Sequence, residues 1–135
     1  MREPSVSTIL FKRLSKTILM PNITALTALL NKGQDSALLR FGLASAYLKE
    51  QPDDHLIQAE EHLKRCLALD PTYTAAYQQL AQVQKDLDNL IDATETLRFG
   101  IAAAESAGDL QAQRVMQVFL KRLAKRLAAD LPGQS

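Results

Sequence analysis

The chain has 135 residues, room for one ordinary domain, with 47% hydrophobic residues and a formal net charge of +1. That balance gives no global pull toward nucleic acid or acidic lipid, and three Tyr, four Phe and no Trp argue against an aromatic-rich ligand site. A single cysteine excludes an intramolecular disulfide framework, and no uninterrupted apolar run approaches the roughly 20 residues of a membrane span. The expectation is a soluble, cytoplasmic protein.

Residues 1–20 read as a basic N-terminal extension, with Arg2, Lys12, Arg13 and Lys16 set against Glu3 alone. Leu10, Phe11, Leu14 and Ile18 keep a helical spacing, enough for an amphipathic turn or two. Lys12 and Arg13 interrupt the apolar stretch and no A-x-A-like site follows, which argues against a secretory signal. The Ser-rich, acid-poor composition fits a transit peptide, but Arg is scarce. The favoured reading is a poorly ordered extension, with Met20 as the real or alternative start.

Residues 21–33 predict a short capping helix. Pro21 can sit at its start, Ile23, Leu26, Leu29 and Leu30 form its apolar face, and Gly33 ends it in the left-handed conformation. Asp35 or Ser36 then caps a helix from Ala37 to about Glu50. Pro52 stops that helix, and Asp53 or Asp54 caps the next, from about His55 to Leu69, before Asp70-Pro71. A further helix spans about Thr72 to Leu87. Asp88-Asn89 makes a tight turn, and another helix follows from Leu90 to about Ala107, before Gly108. Residues 109–130 predict a long C-terminal capping helix that starts at Asp109, with Val115, Met116, Phe119, Leu120, Leu123 and Leu127 on an apolar stripe toward the last repeat and its charged face toward water. Residues 131–135 should be a frayed tail.

Between residues 36 and 107 one pattern occurs twice, over 36–73 and 74–107. Arg40, Leu43, Ala44, Tyr47, Ala59, Leu63 and Pro71 answer in order to Tyr77, Leu80, Ala81, Gln84, Ala93, Leu97 and Glu105. The spacing W-x2-L-G-x2-Y, then A-x3-F, then P, over about 34 residues, is that of the tetratricopeptide repeat, and the chain resembles that family. Ala59 to Ala93 is one such period, whereas Leu43 to Leu80 is three residues longer, which predicts an insertion in the inner turn of the first unit. Ala44, Ala59, Ala81 and Ala93 are small where paired helices approach most closely, and Cys66 and Gly100 share a third small slot. Three residues depart from the pattern: Arg40 and Gln84 replace aromatics, and Glu105 replaces the closing proline.

The resemblance implies an all-α fold, antiparallel helix pairs stacked as a short right-handed superhelix, in a small protein of bacterial type. It also implies a non-enzymatic protein–protein interaction module, an adaptor or small co-scaffold that takes a peptide or helix on its concave face. In that family the first helix of each pair lines the concave surface. Those slots map to Leu38, Phe41, Ser45, Leu48 and Lys49 in the first unit and to Ala75, Gln78, Gln82, Lys85 and Asp86 in the second. Some members grip a peptide carboxylate with Lys, Asn and Arg there. Here Phe41, Ser45, Gln78 and Gln82 stand in those slots, so that clamp is missing. A competing reading is that Leu38, Phe41 and Leu48 receive the N-terminal helix.

No residues call for a cofactor. Gly-rich phosphate loops, G-x-S-x-G and C-x-x-C are absent. His62 and Cys66, four apart on a helix, have the geometry of a metal half site, but Cys66 occupies a small buried slot and His62 reads as surface. Glu60, Glu61, Asp92 and Glu95 read as solvated helix faces. The rival to a concave-face peptide is an anionic partner, nucleic acid or membrane, on the basic face formed by Arg114, Lys121, Arg122, Lys125 and Arg126. No aromatic residues interleave with those cations for base stacking. Arrays of this kind usually need three or more repeats, so self-association also stays open.

Overall fold

The computed structural model describes residues 22–130. The chain order is α1 (Ile23–Asn31), α2 (Ala37–Glu50), α3 (His55–Leu69), α4 (Thr74–Asp86), α5 (Leu90–Ala107) and α6 (Leu110–Asp130). The expectations for residues 1–21 and 131–135 lie outside the described residues.

Local chemistry places most of the boundaries. Asn22 caps α1 by accepting from the Ala25 N–H at 2.8 Å, and Ser36 caps α2 by accepting from the Leu39 N–H at 3.1 Å. Gly33, at φ +85°, turns the chain out of α1 while the Gly33 and Gln34 N–H groups close onto the Leu30 and Leu29 carbonyls. Asp109 accepts from the Ala112 N–H at 3.1 Å at the start of α6. Two expectations at helix starts need correction. Asp54 stands at the start of α3, but its carboxylate accepts from the Gln58 side chain at 3.0 Å instead of a first-turn N–H. α4 begins at Thr74 and not Thr72, because Asp70 accepts from both the Thr72 N–H and its hydroxyl, a local turn that competes with helix.

The three extra residues of the first unit do not all fall in its inner turn. Relative to α4 and α5, one residue lengthens the end of α2, one widens the turn, and one lengthens the start of α3. Spreading the insertion keeps both helices in register with their partners and needs no bulge.

α2 packs on α3, α4 on α5, α3 on α4, and α6 on α5, so each helix lies against the one before it. Their buried faces make two adjoining clusters. One holds Ala44, Ala59, Leu63 and Cys66 with Leu80 and Val83; the other holds Ala81, Ala93 and Leu97 with Met116 and Leu123 of α6. The predicted small slots are where helices touch: Ala44, Ala59, Ala81, Ala93 and Cys66 have no exposed surface. Gly100 is the tightest point. A Cβ there would lie 2.6 Å from the Met116 sulfur and 2.6 Å from the Tyr77 Cβ, so its missing side chain lets α4, α5 and α6 converge. α5 runs on to Ala107 past Glu105, as expected without the closing proline, and Gly108 at φ +70° ends it.

Candidate interaction groove

α4 and α6 present facing stripes. On α4, Gln78, Gln82 and Lys85 succeed one another by four and three residues, one per turn, on a single face. On α6, Arg114, Val118, Arg122 and Arg126 recur every four residues, beside Val115 and Phe119. The groove between them encloses about 530 Å³. It continues toward α2 as a depression of about 380 Å³ that shares Gln78, Gln82 and Phe119 and reaches Ala75 and Phe41. Convergence at Gly100 brings α6 close enough for this: Met116 and Leu123 are buried on one side of α6, while Val115 and Val118 remain 41% and 50% exposed on the other.

The groove is apolar at its floor and cationic at its rim. The Lys85 ammonium lies 5.9 Å from the centroid of the Phe119 ring, near enough for a cation–π contact across the two helices. Gln82 donates to the Asp86 carboxylate at 3.1 Å. Arg126 stands 3.6 Å from Asp88. Among the described residues, Arg114 and Arg122 have no carboxylate within salt-bridge distance.

Of the ten concave positions read from the sequence, Phe41, Ala75, Gln78, Gln82 and Lys85 line this surface. Ser45 is half-buried at its edge, where the Gln79 amide approaches its hydroxyl at 3.4 Å. Leu48 packs against the first core cluster, and Lys49 and Asp86 are exposed. Leu38, 71% exposed, faces elsewhere: with Leu26, Leu29 and Leu39 it lines a separate apolar depression between α1 and α2. α1 crosses α2 at Gly42, where Leu26 comes close, and contributes nothing to the α4–α6 groove. The basic face of α6 divides in the same way. Arg114, Arg122 and Arg126 line the groove, whereas Lys121 and Lys125 are exposed away from it.

Sequence reasoning did not assign Val115, Val118, Phe119 and Leu123 to the groove. The apolar stripe takes Val115, Phe119 and Leu123 as packed residues, and Val118 falls on neither face. The available signal was positional: the helix after a helix pair occupies the place of the first helix of a further pair, so its open face continues the concave surface.

His62 and Cys66 do not form a pair. The His62 Nδ1 lies 3.1 Å from the Arg40 guanidinium, and its ring stacks on Tyr47 at 5.6 Å. Cys66 is buried in the core, where desolvation pushes its thiol up, away from thiolate chemistry. Arg40 also grips Asp35 through two contacts of 2.8 and 3.1 Å, which hold that carboxyl below its ordinary range. Among the described residues no three His, Cys, Asp or Glu side chains gather as a metal site, and no helix is long and apolar enough to cross a membrane.

Consecutive antiparallel helices with small residues at their crossings and a concave first-helix surface define a helical-repeat protein. The chain is 40% identical over 101 residues to TPR repeat-containing protein PA0015 of Pseudomonas aeruginosa, spanning 75% of this chain and 93% of that protein. It therefore belongs to the tetratricopeptide-repeat proteins. The solution structure of protein BPP2914 from Bordetella parapertussis is similar as well, 35% identical with a TM-score of 0.67, over 80% of this chain and 91% of that one. No protein-family model matches the chain.

Proposed function

We propose that the protein is a non-enzymatic interaction module that holds a peptide or helix of a partner protein in the groove between α4 and α6. The observation that carries this reading is the groove itself: Gln78, Gln82 and Lys85 of the repeat face Val115, Val118 and Phe119 of the terminal helix across an open apolar floor. Partly exposed apolar side chains bordered by polar ones are the usual composition of a recognition surface. Membership of the tetratricopeptide-repeat family supports a protein partner, and the chain-wide charge of +1 gives no support to general adhesion to polyanions.

Affinity capture from native extract tests the reading, with Gln78→Ala/Gln82→Ala and Lys121→Ala/Lys125→Ala variants beside the parent. A protein held by the parent and by the lysine variant, but lost with the glutamine variant, is the expected outcome. Retention by the glutamine variant and loss with the lysine variant would move binding to the outer face of α6.

A further inference from the structure

We infer that the groove selects an acidic amphipathic helix, anchored by its apolar face and gripped by Arg114 and Arg122. This rests on the groove being the binding surface and names the partner that its chemistry fits.

Among the described residues none lining the α4–α6 groove is acidic, while four of them are cations. Arg126 is already opposed by Asp88, and Lys85 leans over Phe119, so Arg114 and Arg122 are the cations with charge to offer. They stand two turns apart on the same lip, with Val118 midway between them. A carboxylate on each of two turns of a partner helix meets that spacing, and planar guanidinium groups favour carboxylates held in this way.

The backbone chemistry favours a helix over an extended segment. An extended chain in an apolar groove needs partners for its own N–H and C=O groups, whereas a helix satisfies them internally. The groove has few to offer: one N–H of Gln82 is engaged with Asp86, leaving the rest of that amide and the Gln78 amide as the uncharged side-chain groups that could meet a backbone. From Arg114 to Arg126 the α6 lip extends for about 18 Å at the helical rise, matching about 12 residues of a docked helix. Apolar side chains recurring every three or four residues on that helix would reach Val115, Val118 and Phe119. The floor then supplies most of the affinity, and the arginines supply the choice of sign, since exposed ion pairs steer and discriminate more than they bind.

The test uses the isotope-labelled full chain and amide chemical-shift titration. Three helical peptides carry the same apolar stripe and differ only in polar positions, filled with Glu, Gln or Lys; a deoxythymidine strand of matching charge is the fourth titrant. The Glu peptide is expected to shift amides of Gln78 and of residues 114–123, and to bind about tenfold tighter than the Gln peptide. That preference should vanish in Arg114→Glu/Arg122→Glu, with the milder Arg114→Gln/Arg122→Gln pair as the folded control if the first melts early. Equal binding of the Glu and Gln peptides would overturn the acidic preference and leave the groove standing. Groove shifts with the oligonucleotide alone would overturn it in favour of nucleic acid. If no titrant moves the groove amides, the groove reading fails as well.

Discussion

In the α2/α3 pair, the slots four residues after Leu43 and three after Ala59 hold Tyr47 and His62, whose rings stack at 5.6 Å. In the α4/α5 pair the same two slots hold Gln84 and Thr96, and the Thr96 hydroxyl donates to the Gln84 side-chain amide oxygen at 2.6 Å. The first pair is half-open to water, and Arg40 reaches in from the neighbouring slot to meet His62. The second is almost sealed, with Gln84 only 3% exposed, and Tyr77 stands where Arg40 would be, donating to the Pro71 carbonyl at 2.7 Å. The backbone slots fix how far apart the side chains stand, and their neighbours decide the chemistry. Beside the short α1 a charged, wet contact suffices. Between α3 and α6 the buried Gln84 and Thr96 satisfy each other. The third small slot differs likewise: Cys66 fills space in the first unit, and Gly100 vacates it in the second so that Tyr77 and Met116 can close.

The largest expected effect comes from breaking the slot that both units share. Ala93→Glu places a carboxylate at a fully buried helix contact and should cost about 4 kcal/mol or more, which a thermal melt would register as loss of the folded state. A melt like that of the parent would sink the packing register. Next, the third small slot should respond unequally. Gly100→Ala drives a methyl into Tyr77 and Met116, at about 2–3 kcal/mol, whereas Cys66→Ala removes one buried atom for about 1 kcal/mol. Equal costs in denaturant unfolding would mean that α6 is not held as closely as described.

The polar pair of the second unit comes third. Gln84→Ala strands the Thr96 hydroxyl and should cost about 1–3 kcal/mol, while Gln84→Leu together with Thr96→Val should recover most of that. A double-mutant cycle without coupling would contradict the hydrogen bond.

The smallest effect is on pH dependence. Burial, followed by the Arg40 charge, holds His62 below its ordinary 6.5. Its stabilising contribution is therefore complete above 6.5 and is lost as the pH falls toward the folded value. Asp35, held below 3.8 chiefly by its hydrogen bond from Arg40, contributes fully above 3.8 and loses that contribution in more acidic solution. Arg40→Ala should raise both groups, which flattens the acid side of the stability profile, and a titration of the His62 ring protons would show its upward move. An unmoved His62 would show that burial alone sets it.

Much of this architecture was legible in the residues. Ala44 with Ala81 and Ala59 with Ala93, together with the capping Ser36 and Asp109 and the stop at Gly108, carry strong local constraints, so the helices α2 through α6 stand close to where spacing puts them. Departures arose where side chains choose between local partners: Asp54 turns to Gln58, and Asp70 draws Thr72 out of α4. The groove was half legible. Phe41, Ala75, Gln78, Gln82 and Lys85 follow from slot positions within each repeat. Val115, Val118 and Phe119 depend on how α6 rolls against α5, which Gly100 and Met116 decide together across the fold. The same roll makes two surfaces that looked like rivals, the repeat's concave slots and the arginines of α6, two walls of one groove.

That union is tested most directly by measuring, in purified form, the affinity of the captured partner for the parent, for Gln78→Ala/Gln82→Ala and for Arg114→Glu/Arg122→Glu. A single groove predicts that both variants weaken binding several-fold while melting like the parent. A partner that loses affinity with one wall and ignores the other would contradict it.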